Sequence, residues 1–430
     1  MAWDKGEKID MFSLNAENTT WKQEITAGLT SFFTIAYILV VNPAILSDAG
    51  MPYSYALLGT VFVTVIGCML IGFWADAPIV LTPGMGINAF FTYTIVQGLG
   101  LTWQQGLAAA VMAGCLFVIA AVTPLAGKLT TAVPQSLKLG ITVGIGIFLS
   151  FIGLQKGGLI AADEDRFVTL GSLSSPAALV TIFGLLLTLG LLVRGVKGSF
   201  LIGMAVTSAA GWFAGLQGER AGTSLSFSGY ESMWRSLDFS AVLELPFLLS
   251  VFSLTIIIMF ESMGLLQGML PNKEKFSRSY QASAVSALSS GFLGTSPTIP
   301  TVESASGISE GGRTGVTAIV TAVLFALSLF FTPLFTSIPE AAIAPVLVIV
   351  GGLMVQEIRH ISFDDMSEWF PAYLIIGLIP LTSSIADGIA FGFIAYPLLK
   401  LALGSPKAVS PIMYVISGLF LLNYVLLAGL

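Results

Sequence analysis

Charged and reactive side chains are scarce in this chain of 430 residues, of which 10% are charged, two are cysteine and one is histidine. The sequence has no C-x-x-C pair and no lysine-containing phosphate-binding loop, and its net charge of -6 gives no basic surface. These absences argue against a zinc-stabilised fold, ATP hydrolysis and nucleic-acid binding. Soluble domains carry roughly a quarter charged residues, so an ordinary soluble fold is excluded as well.

The few residues able to bind a metal are far apart. Cys68 and Cys115 lie inside apolar runs, and His360 stands beside Arg359 in a polar connector. Single buried cysteines usually pack as small apolar side chains. We therefore expect no metal site, no cofactor and no enzymatic centre. The first 24 residues are polar, and no small-residue cleavage site follows the first apolar run, so a signal peptide is not expected.

Long apolar runs dominate what is present: 55% of the residues are hydrophobic, and the mean hydropathy is +0.90. A membrane-spanning helix needs about 20 apolar residues. The sequence predicts such spans near 25–45, 54–74, 106–125, 138–154, 177–195, 199–217, 242–270, 279–293, 314–334 and 341–357.

Four further regions are less regular. Residues 77–100 and 294–312 are apolar but interrupted by Pro, Gly and hydroxyl residues, which is typical of a discontinuous span. Residues 369–403 fit two short spans or a re-entrant pair, and 411–429 can span the membrane or lie flat on it. The expected fold class is an all-α polytopic membrane protein with about 14 spans.

Lysine and arginine in the connectors predict the orientation, because positively charged short loops stay in the cytoplasm. An inside N-terminus with Lys5, Lys8 and Lys22 also places these residues inside: Lys128, Arg194, Lys197, Lys273, Lys275, Arg278, Arg313, Arg359 and Lys407. The protein is thus expected in the cell membrane, with residues 1–24 as its cytoplasmic N-terminus.

An internal repeat relates the two halves. The Thr123-Pro-Leu and Val133-Pro-Gln-Ser motifs return as Thr332-Pro-Leu and Ile338-Pro-Glu-Ala, at offsets of 209 and 205 residues. The broken segments around Pro83 and Pro300 lie 217 residues apart, and each is third in its half. Seven spans per half would invert the second half, and matching broken helices are the best sequence pointer to a secondary transporter. The alternative is that Pro and Gly only kink packed helices.

The first broken segment contains a candidate binding residue, Asn88. A short stretch with prolines at both ends leads into a helix that is expected to begin near Gly84, with Asn88 one turn later. An amide offers both a donor and an acceptor to a ring edge. Phe90 and Phe91 can stack on a planar ligand, although simple packing is the usual role of such rings.

The second broken segment carries Glu303, at the expected start of its half-helix, with Thr301 just before it. A carboxylate at membrane depth costs roughly 2.5–3.5 kcal/mol on insertion scales, which favours a functional role. Glu310 and Arg313 have the spacing of a surface ion pair. Asn88, Glu303, Gly84, Thr301 and the two rings form the expected binding set, with Glu261.

Glu261 is the only charge in the apolar stretch 252–269. Burial disfavours the charged form of a carboxyl group, so Glu261 can exchange a proton, and both Glu261 and Glu303 are candidates for proton coupling. The alternative is a protonated glutamate with a structural hydrogen bond between helices. Tyr37 and Asn42 on the first span are interpreted as packing residues.

Several long motifs resemble the AzgA-like purine permeases of the nucleobase-ascorbate transporter superfamily. They begin at Ala27-Gly-Leu-Thr-Ser-Phe-Phe and Thr82-Pro-Gly-Met-Gly-Ile-Asn, and continue with Gly146-Ile-Phe-Leu-Ser-Phe-Ile-Gly, Val302-Glu-Ser-Ala-Ser-Gly, Gly311-Gly-Arg-Thr-Gly and Ile385-Ala-Asp-Gly-Ile-Ala-Phe. Together they cover nearly the whole chain, which makes the resemblance far more specific than any single glycine pattern.

The resemblance implies two inverted repeats of seven spans, with strands and half-helices in the third and tenth. It implies a core domain from residues 25–125 and 242–334 and a gate domain from 126–241 and 335–430, often in a homodimer. It also implies proton-coupled uptake of hypoxanthine, guanine or adenine, with Asn88 and Glu303 at the family's substrate-binding positions. The expected partners are a purine nucleobase, protons and membrane lipid.

One motif departs from the family pattern, since Ile258-Met-Phe-Glu261-Ser replaces the usual Asp-Leu-Phe-Asp-Thr. Ionised Glu303 can accept the adjacent N–H groups of guanine, whereas N1 of adenine is itself an acceptor. Guanine and hypoxanthine are therefore favoured, with alternating access. The alternatives are an adenine or pyrimidine permease of the same fold, and an anion exchanger or channel of similar architecture.

Overall fold

The computed structural model describes Phe12, Leu14 and residues 16–123, 133–163, 167–218 and 230–427. Lys5, Lys8 and Lys128 of the orientation argument, and Pro124-Leu125 of the first repeat motif, lie outside these ranges.

Helices make up most of the first half, and two interruptions stand out in it. The chain turns at Ala36–Tyr37 between α1 and α2, and two stretches, Ile71–Ala75 and Phe90–Gly98, are π-helical continuations of α3 and α4. The elements are α1 Trp21–Ile35, α2 Ile38–Asp48, α3 Tyr53–Leu70, β1 Leu81–Pro83, α4 Met85–Ala89, α5 Trp103–Val122, α6 Gln135–Lys156, β2 Ile160–Asp163, β3 Phe167–Leu170, α7 Pro176–Val193 and α8 Ser199–Phe213.

The second half repeats the order of the spans, without a counterpart of the β2–β3 hairpin among the described residues, and ends in one additional helix. Its elements are α9 Leu245–Met269, α10 Phe276–Phe292, β4 Thr298–Pro300, α11 Ser304–Ser309, α12 Gly315–Ser328, α13 Thr332–Thr336, α14 Glu340–Val355, α15 Met366–Thr382, α16 Ile385–Ala402 and α17 Pro411–Leu427. Residues 369–403 thus form two helices, joined at Ser383 with a left-handed φ of 53°.

Within the described ranges, nine helices are long and apolar enough to cross a membrane. Three shorter apolar helices accompany them, Ser199–Phe213, Met366–Thr382 and Pro411–Leu422. The chain is therefore a multi-pass helical membrane protein, which confirms the predicted fold class. The total of fourteen spans stays a prediction, because length and composition alone identify these helices.

The two broken spans pair with each other through their strands. β1 and β4 are antiparallel, with Leu81 opposite Pro300, Thr82 opposite Ile299 and Pro83 opposite Thr298. Each strand therefore pairs with the equivalent strand of the other repeat. A two-fold axis passes through the central pair, Thr82 and Ile299. Prolines cannot continue a helix, and the ladder satisfies backbone groups that lipid could not.

Helix packing obeys the same two-fold relation. α6 packs against α14 at the centre of one group; α6 also contacts α15, as α14 contacts α7. In the other group, α12 packs against α1 and α3, as α5 packs against α9 and α10. These equivalent contacts support two structural repeats, and α17 lies beyond them.

Close backbone contact fixes the loop that leads into β4. A Cβ atom on Gly59 of α3 would lie 2.3 Å from the Leu293 carbonyl oxygen, so only glycine fits there. This approach places Thr60, the next residue of α3, beside the loop residue Thr295, and both side chains are fully buried.

Candidate functional site

Glu303 lies directly after the β4 segment and immediately before α11. Its carboxylate is partly exposed, and Oε1 accepts a hydrogen bond of 2.6 Å from the Tyr37 hydroxyl. α11 has only six residues, so its dipole is a weak source of stabilisation. The specific partner of Glu303 is therefore the tyrosine, a residue that the sequence interpretation assigned to packing.

Tyr37 joins this acid to a second part of the molecule. It stands at the turn between α1 and α2, its side chain is 1% exposed, and its ring packs on Phe200 of α8 with the centroids 5.0 Å apart. A phenol hydroxyl can donate to a carboxylate without carrying charge. Tyr37 thus holds Glu303 while it contacts α8, which packs against α14 of the other group.

Asn88 lies on α4, one turn after Gly84, as the sequence predicts. Its side chain is fully buried, and Nδ2 donates to Oδ1 of Asn42 at 3.0 Å. Asn42 belongs to α2, so the first span supports both candidate residues, Glu303 through Tyr37 and Asn88 through Asn42. A polar tyrosine and asparagine within the apolar run 35–46 were the signal that could have revealed this role.

Thr301 and Gly84 hold the strand ends in place. The Thr301 backbone N–H donates to the Val80 carbonyl at 3.0 Å, and Val80 N–H donates to Oγ of Ser304 at 2.9 Å. A Cβ atom on Gly84 would lie 2.7 Å from Cδ1 of Ile299. These contacts set the positions of Glu303 and Asn88 relative to the ladder.

The two phenylalanines are separated by the fold. Phe90 is fully buried in the main apolar core. Phe91 is also buried, but it belongs to a smaller cluster with Leu46, Ala56 and Leu107. Phe91 therefore packs against the neighbouring helices α2, α3 and α5, as the packing alternative expects.

Glu261 lies on α9, partly exposed, and accepts no hydrogen bond from the residues that the structure describes. The preceding ring, Phe260, lies beneath the Lys138 ammonium group at 4.5 Å from its centroid. Ile258, which replaces an acid of the resembled family, is fully buried in the core. The carboxylate of Glu261 on α9 therefore has no fixed partner among the described residues.

The predicted Glu310–Arg313 ion pair is wrong. Glu310 forms an ion pair with Lys197, between α7 and α8. The Arg313 guanidinium instead donates to the carbonyls of Ile308 and Gly312, at 2.8 Å each. Spacing alone could not decide this, because the chain turns at Gly311 with φ of 101°.

An ion cluster of Asp48, Tyr93, Lys156 and Glu340 lies where α2 and α6 end and α14 begins. Lys156 Nζ is 2.9 Å from Asp48 Oδ2 and 3.2 Å from Glu340 Oε1, and the Tyr93 hydroxyl donates to Asp48 at 2.6 Å. The Lys156 side chain is only 15% exposed. This cluster joins the first and third spans to α6 and α14.

A family model described as "Permease family" (Xan_ur_permease) matches residues 22–423. The chain belongs to this permease family. It is therefore a membrane transporter and not an enzyme, and the resemblance seen in the sequence is confirmed.

Curated relatives cover nearly the whole chain. The chain is 45% identical to the nucleobase transporter PlAzg2 of Paenibacillus larvae, over 88% of the chain and 77% of the relative. It is 39% identical to the guanine/hypoxanthine permease PbuO of Bacillus subtilis, over 97% and 100%. It is 34% identical to the adenine permease AdeP of Escherichia coli, over 96% and 95%.

Solved structures share the fold at low identity. The transmembrane domain of the cyanobacterial bicarbonate transporter BicA has a TM-score of 0.61 at 16% identity, covering 85% of this chain and 96% of that chain. The murine anion transporter Slc26a9 has a TM-score of 0.63 at 11% identity, covering 94% and 74%. Both likenesses show the fold alone.

Tyr37→Phe tests the Tyr37–Glu303 bond, because phenylalanine keeps the ring on Phe200 and removes only the hydroxyl. A hydrogen bond to a charged group contributes roughly 1.5–3 kcal/mol, so ligand affinity is expected to fall about 10- to 100-fold. The measurement is ligand-induced thermal stabilisation of the purified protein with a panel of nucleobases. Tyr280→Phe is the control, since among the described residues that buried hydroxyl donates to no group but the Met259 carbonyl, at 3.4 Å. Equal affinities for Tyr37→Phe and wild type would contradict the assignment.

Proposed function

We propose that this permease imports purine nucleobases, with guanine and hypoxanthine favoured, by proton symport. One structural observation carries the proposal: an acid, Glu303, and an amide, Asn88, flank the paired strands of two broken spans and are both held by the first span. Relatives named as nucleobase and guanine/hypoxanthine permeases support the substrate class.

The chemistry of Glu303 favours oxopurines. A carboxylate accepts two parallel N–H bonds, and guanine presents N1–H beside its amino group. Adenine turns a lone pair toward the carboxylate at N1, which is unfavourable. A site built on such bonds can reject a mismatched ring by several orders of magnitude, about 10⁴ in comparable enzymes.

Adenine transport is the second candidate, because one relative is named as an adenine permease. A pyrimidine, with a single ring, would contact fewer side chains of the proposed site.

An anion exchanger or channel shares the architecture, but the carboxylate of Glu303 would repel an anion. Competition between labelled guanine and unlabelled bases separates these alternatives.

Glu303→Gln and Asn88→Ala are expected to abolish or strongly reduce guanine uptake, since each removes a direct contact with the base. Uptake of labelled guanine and hypoxanthine by cells or proteoliposomes measures this, with the amount of membrane-inserted protein determined in parallel. Glu310→Gln is the matched control at the other end of α11, where Lys197 is the partner, and it should retain most of the uptake because it leaves both contacts with the base in place. Wild-type uptake by both site variants would remove the proposed site.

We propose that Glu261 carries the coupled proton, alone or together with Glu303. Glu261 has no fixed partner among the described residues, so a change in its charge breaks no hydrogen bond between side chains. The driving force is adequate: one proton moving down 100 mV gains about 2.3 kcal/mol, which corresponds to roughly fortyfold accumulation.

Glu261→Gln cannot change charge, so it is expected to stop accumulation of guanine above the external concentration while equilibration continues. The comparison is uptake by proteoliposomes with and without an imposed pH gradient. Glu244→Gln, at the exposed start of the same helix α9, serves as the control. Full gradient-driven accumulation by Glu261→Gln would assign the coupling to another group.

We further propose alternating access, in which the Asp48–Tyr93–Lys156–Glu340 cluster holds one face of the protein closed. It joins spans that the proposal assigns to different domains, core (25–125 and 242–334) and gate (126–241 and 335–430). On the opposite face, Lys197 of the Lys197–Glu310 pair is 53% exposed, so that contact is weaker. The positive-inside pattern supports a cytoplasmic N-terminus, and the closed face would then lie outside. We propose a homodimer in the cell membrane.

Lys156→Met is expected to open the closed face more often, because it breaks both ion pairs and leaves two carboxylates facing each other. A cost of about 1–2 kcal/mol, between surface and buried pairs, would raise the open fraction roughly 5- to 30-fold. The readout is the rate at which an impermeant maleimide labels Ile152→Cys in a Cys115→Ala background.

Lys197→Met provides the control for this labelling, because it breaks the exposed pair on the opposite face. Its labelling rate at position 152 should not rise. If Ile152→Cys is labelled at the same rate with and without Lys156→Met, the ion cluster does not hold the face closed.

A further inference from the structure

Four fully buried polar side chains form a chain of hydrogen bonds that ends at the Asn88 amide. Its members are Thr60 of α3, Thr295 of the loop before β4, Asn42 of α2 and Asn88 of α4. Such a chain has a direction, because each hydrogen is donated once. The direction decides which atom of Asn88 remains for a ligand.

The direction is set at Thr60. Its hydroxyl donates its single hydrogen to the Ala56 carbonyl at 2.6 Å, so toward Asn42 it can only accept. Asn42 Nδ2 lies 2.7 Å from Thr60 Oγ1 and 2.9 Å from Thr295 Oγ1 and donates to both. The amide nitrogen of Asn42 is therefore committed, and its Oδ1 faces Asn88.

Asn88 must then turn its nitrogen toward Asn42. Nδ2 donates to Asn42 Oδ1 at 3.0 Å and approaches Met85 Sδ at 3.7 Å. A reversed amide would place two oxygens 3.0 Å apart, which is repulsive. Asn88 Oδ1 is buried and has no hydrogen-bond partner within the described part of the chain. The Asn88 amide therefore offers a ligand an acceptor and no free donor. The sequence analysis expected it to offer both.

We infer that Asn42 is a positioning residue for substrate specificity: it fixes Asn88 as an acceptor, so the bound base must present an N–H to Asn88 Oδ1. This inference rests on the proposed function and deepens it. With Glu303 on the N1–H edge of an oxopurine, the N–H that remains on the ring system is that of the imidazole ring. A carbonyl or a ring lone pair at this position would leave two acceptors facing each other.

Two isosteric probes test which group faces Asn88. 7-Deazaguanine keeps the imidazole N–H at N9 and 9-deazaguanine keeps it at N7, so one of them turns a C–H toward Asn88. Leaving a buried acceptor unpaired is costly, so wild type is expected to bind the two isomers with affinities that differ at least about tenfold. Asn88→Ala should bring this ratio close to one.

Asn42 variants separate orientation from packing. Asn42→Asp keeps an oxygen toward Asn88, and the Thr295 hydroxyl, which only accepts from Asn42 in the described structure, can donate to the other oxygen, so the isomer ratio should persist. Asn42→Leu removes the acceptor and releases the Asn88 amide, so the ratio should fall severalfold. If Asn42→Leu does not fold, the Thr60→Val/Thr295→Val double variant replaces it, with Thr60→Ser/Thr295→Ser as the matched control that retains the ratio.

The possible results are distinct. If wild type binds no guanine, the proposed function fails. If guanine binds but the two isomers bind equally well to wild type, Asn88 Oδ1 does not accept a hydrogen bond from an imidazole N–H, and the inference is overturned. A ratio that survives both Asn42→Leu and the double valine variant would equally overturn the role of Asn42.

Discussion

The antiparallel pairing of β1 with β4 is the constraint on which the rest of the structure depends. Both broken spans are rich in proline and glycine, and their backbone groups would be unsatisfied in lipid at a cost of several kcal/mol each. The ladder between the two strands meets part of that need, with Leu81 opposite Pro300, and side chains such as Ser290, which accepts from the Thr298 N–H, meet more of it. The two halves of the chain therefore meet at this ladder, between the segments that carry Asn88 and Glu303.

The first span supports both candidate residues. Tyr37 donates to Glu303, and Asn42 accepts from Asn88, so two polar residues of the first span hold the acid and the amide in place. Glu261 differs, since no described residue binds its carboxylate. Fixed groups suit recognition of a planar ligand, whereas an acid without a partner can change its charge without disturbing its neighbours.

The two faces of the molecule are not equally held. The cluster around Lys156 has two carboxylates and a tyrosine hydroxyl in contact and is mostly shielded from solvent. The Lys197–Glu310 contact on the other face has one pair and a largely exposed lysine. Ion pairs gain more when they are screened less by water, so the face with the Lys156 cluster is the one held closed in the described conformation.

The sequence by itself determined that the protein is a multi-pass membrane protein, where most of its helices and its two broken segments lie, and that Asn88, Glu303 and Glu261 are the candidate polar residues within them. It did so because apolar run length, proline and isolated intramembrane charges are local signals. Whether Asn88 and Glu303 contribute to binding stays a prediction. The Glu310–Arg313 pair was wrong, and Phe91 packs in a separate cluster, because the direction of a side chain depends on turns and neighbours that spacing does not encode.

Only the tertiary structure decided which residues hold the site. Tyr37 lies 266 residues from Glu303, and Asn42 lies 253 residues from Thr295. Their hydrogen bonds exist because the two inverted halves pack against one another, and no local pattern specifies that contact. Packing of α2 against α3 and α4 set the orientation of the Asn88 amide, since the direction that begins at the Thr60 hydroxyl reaches Asn88 through Asn42.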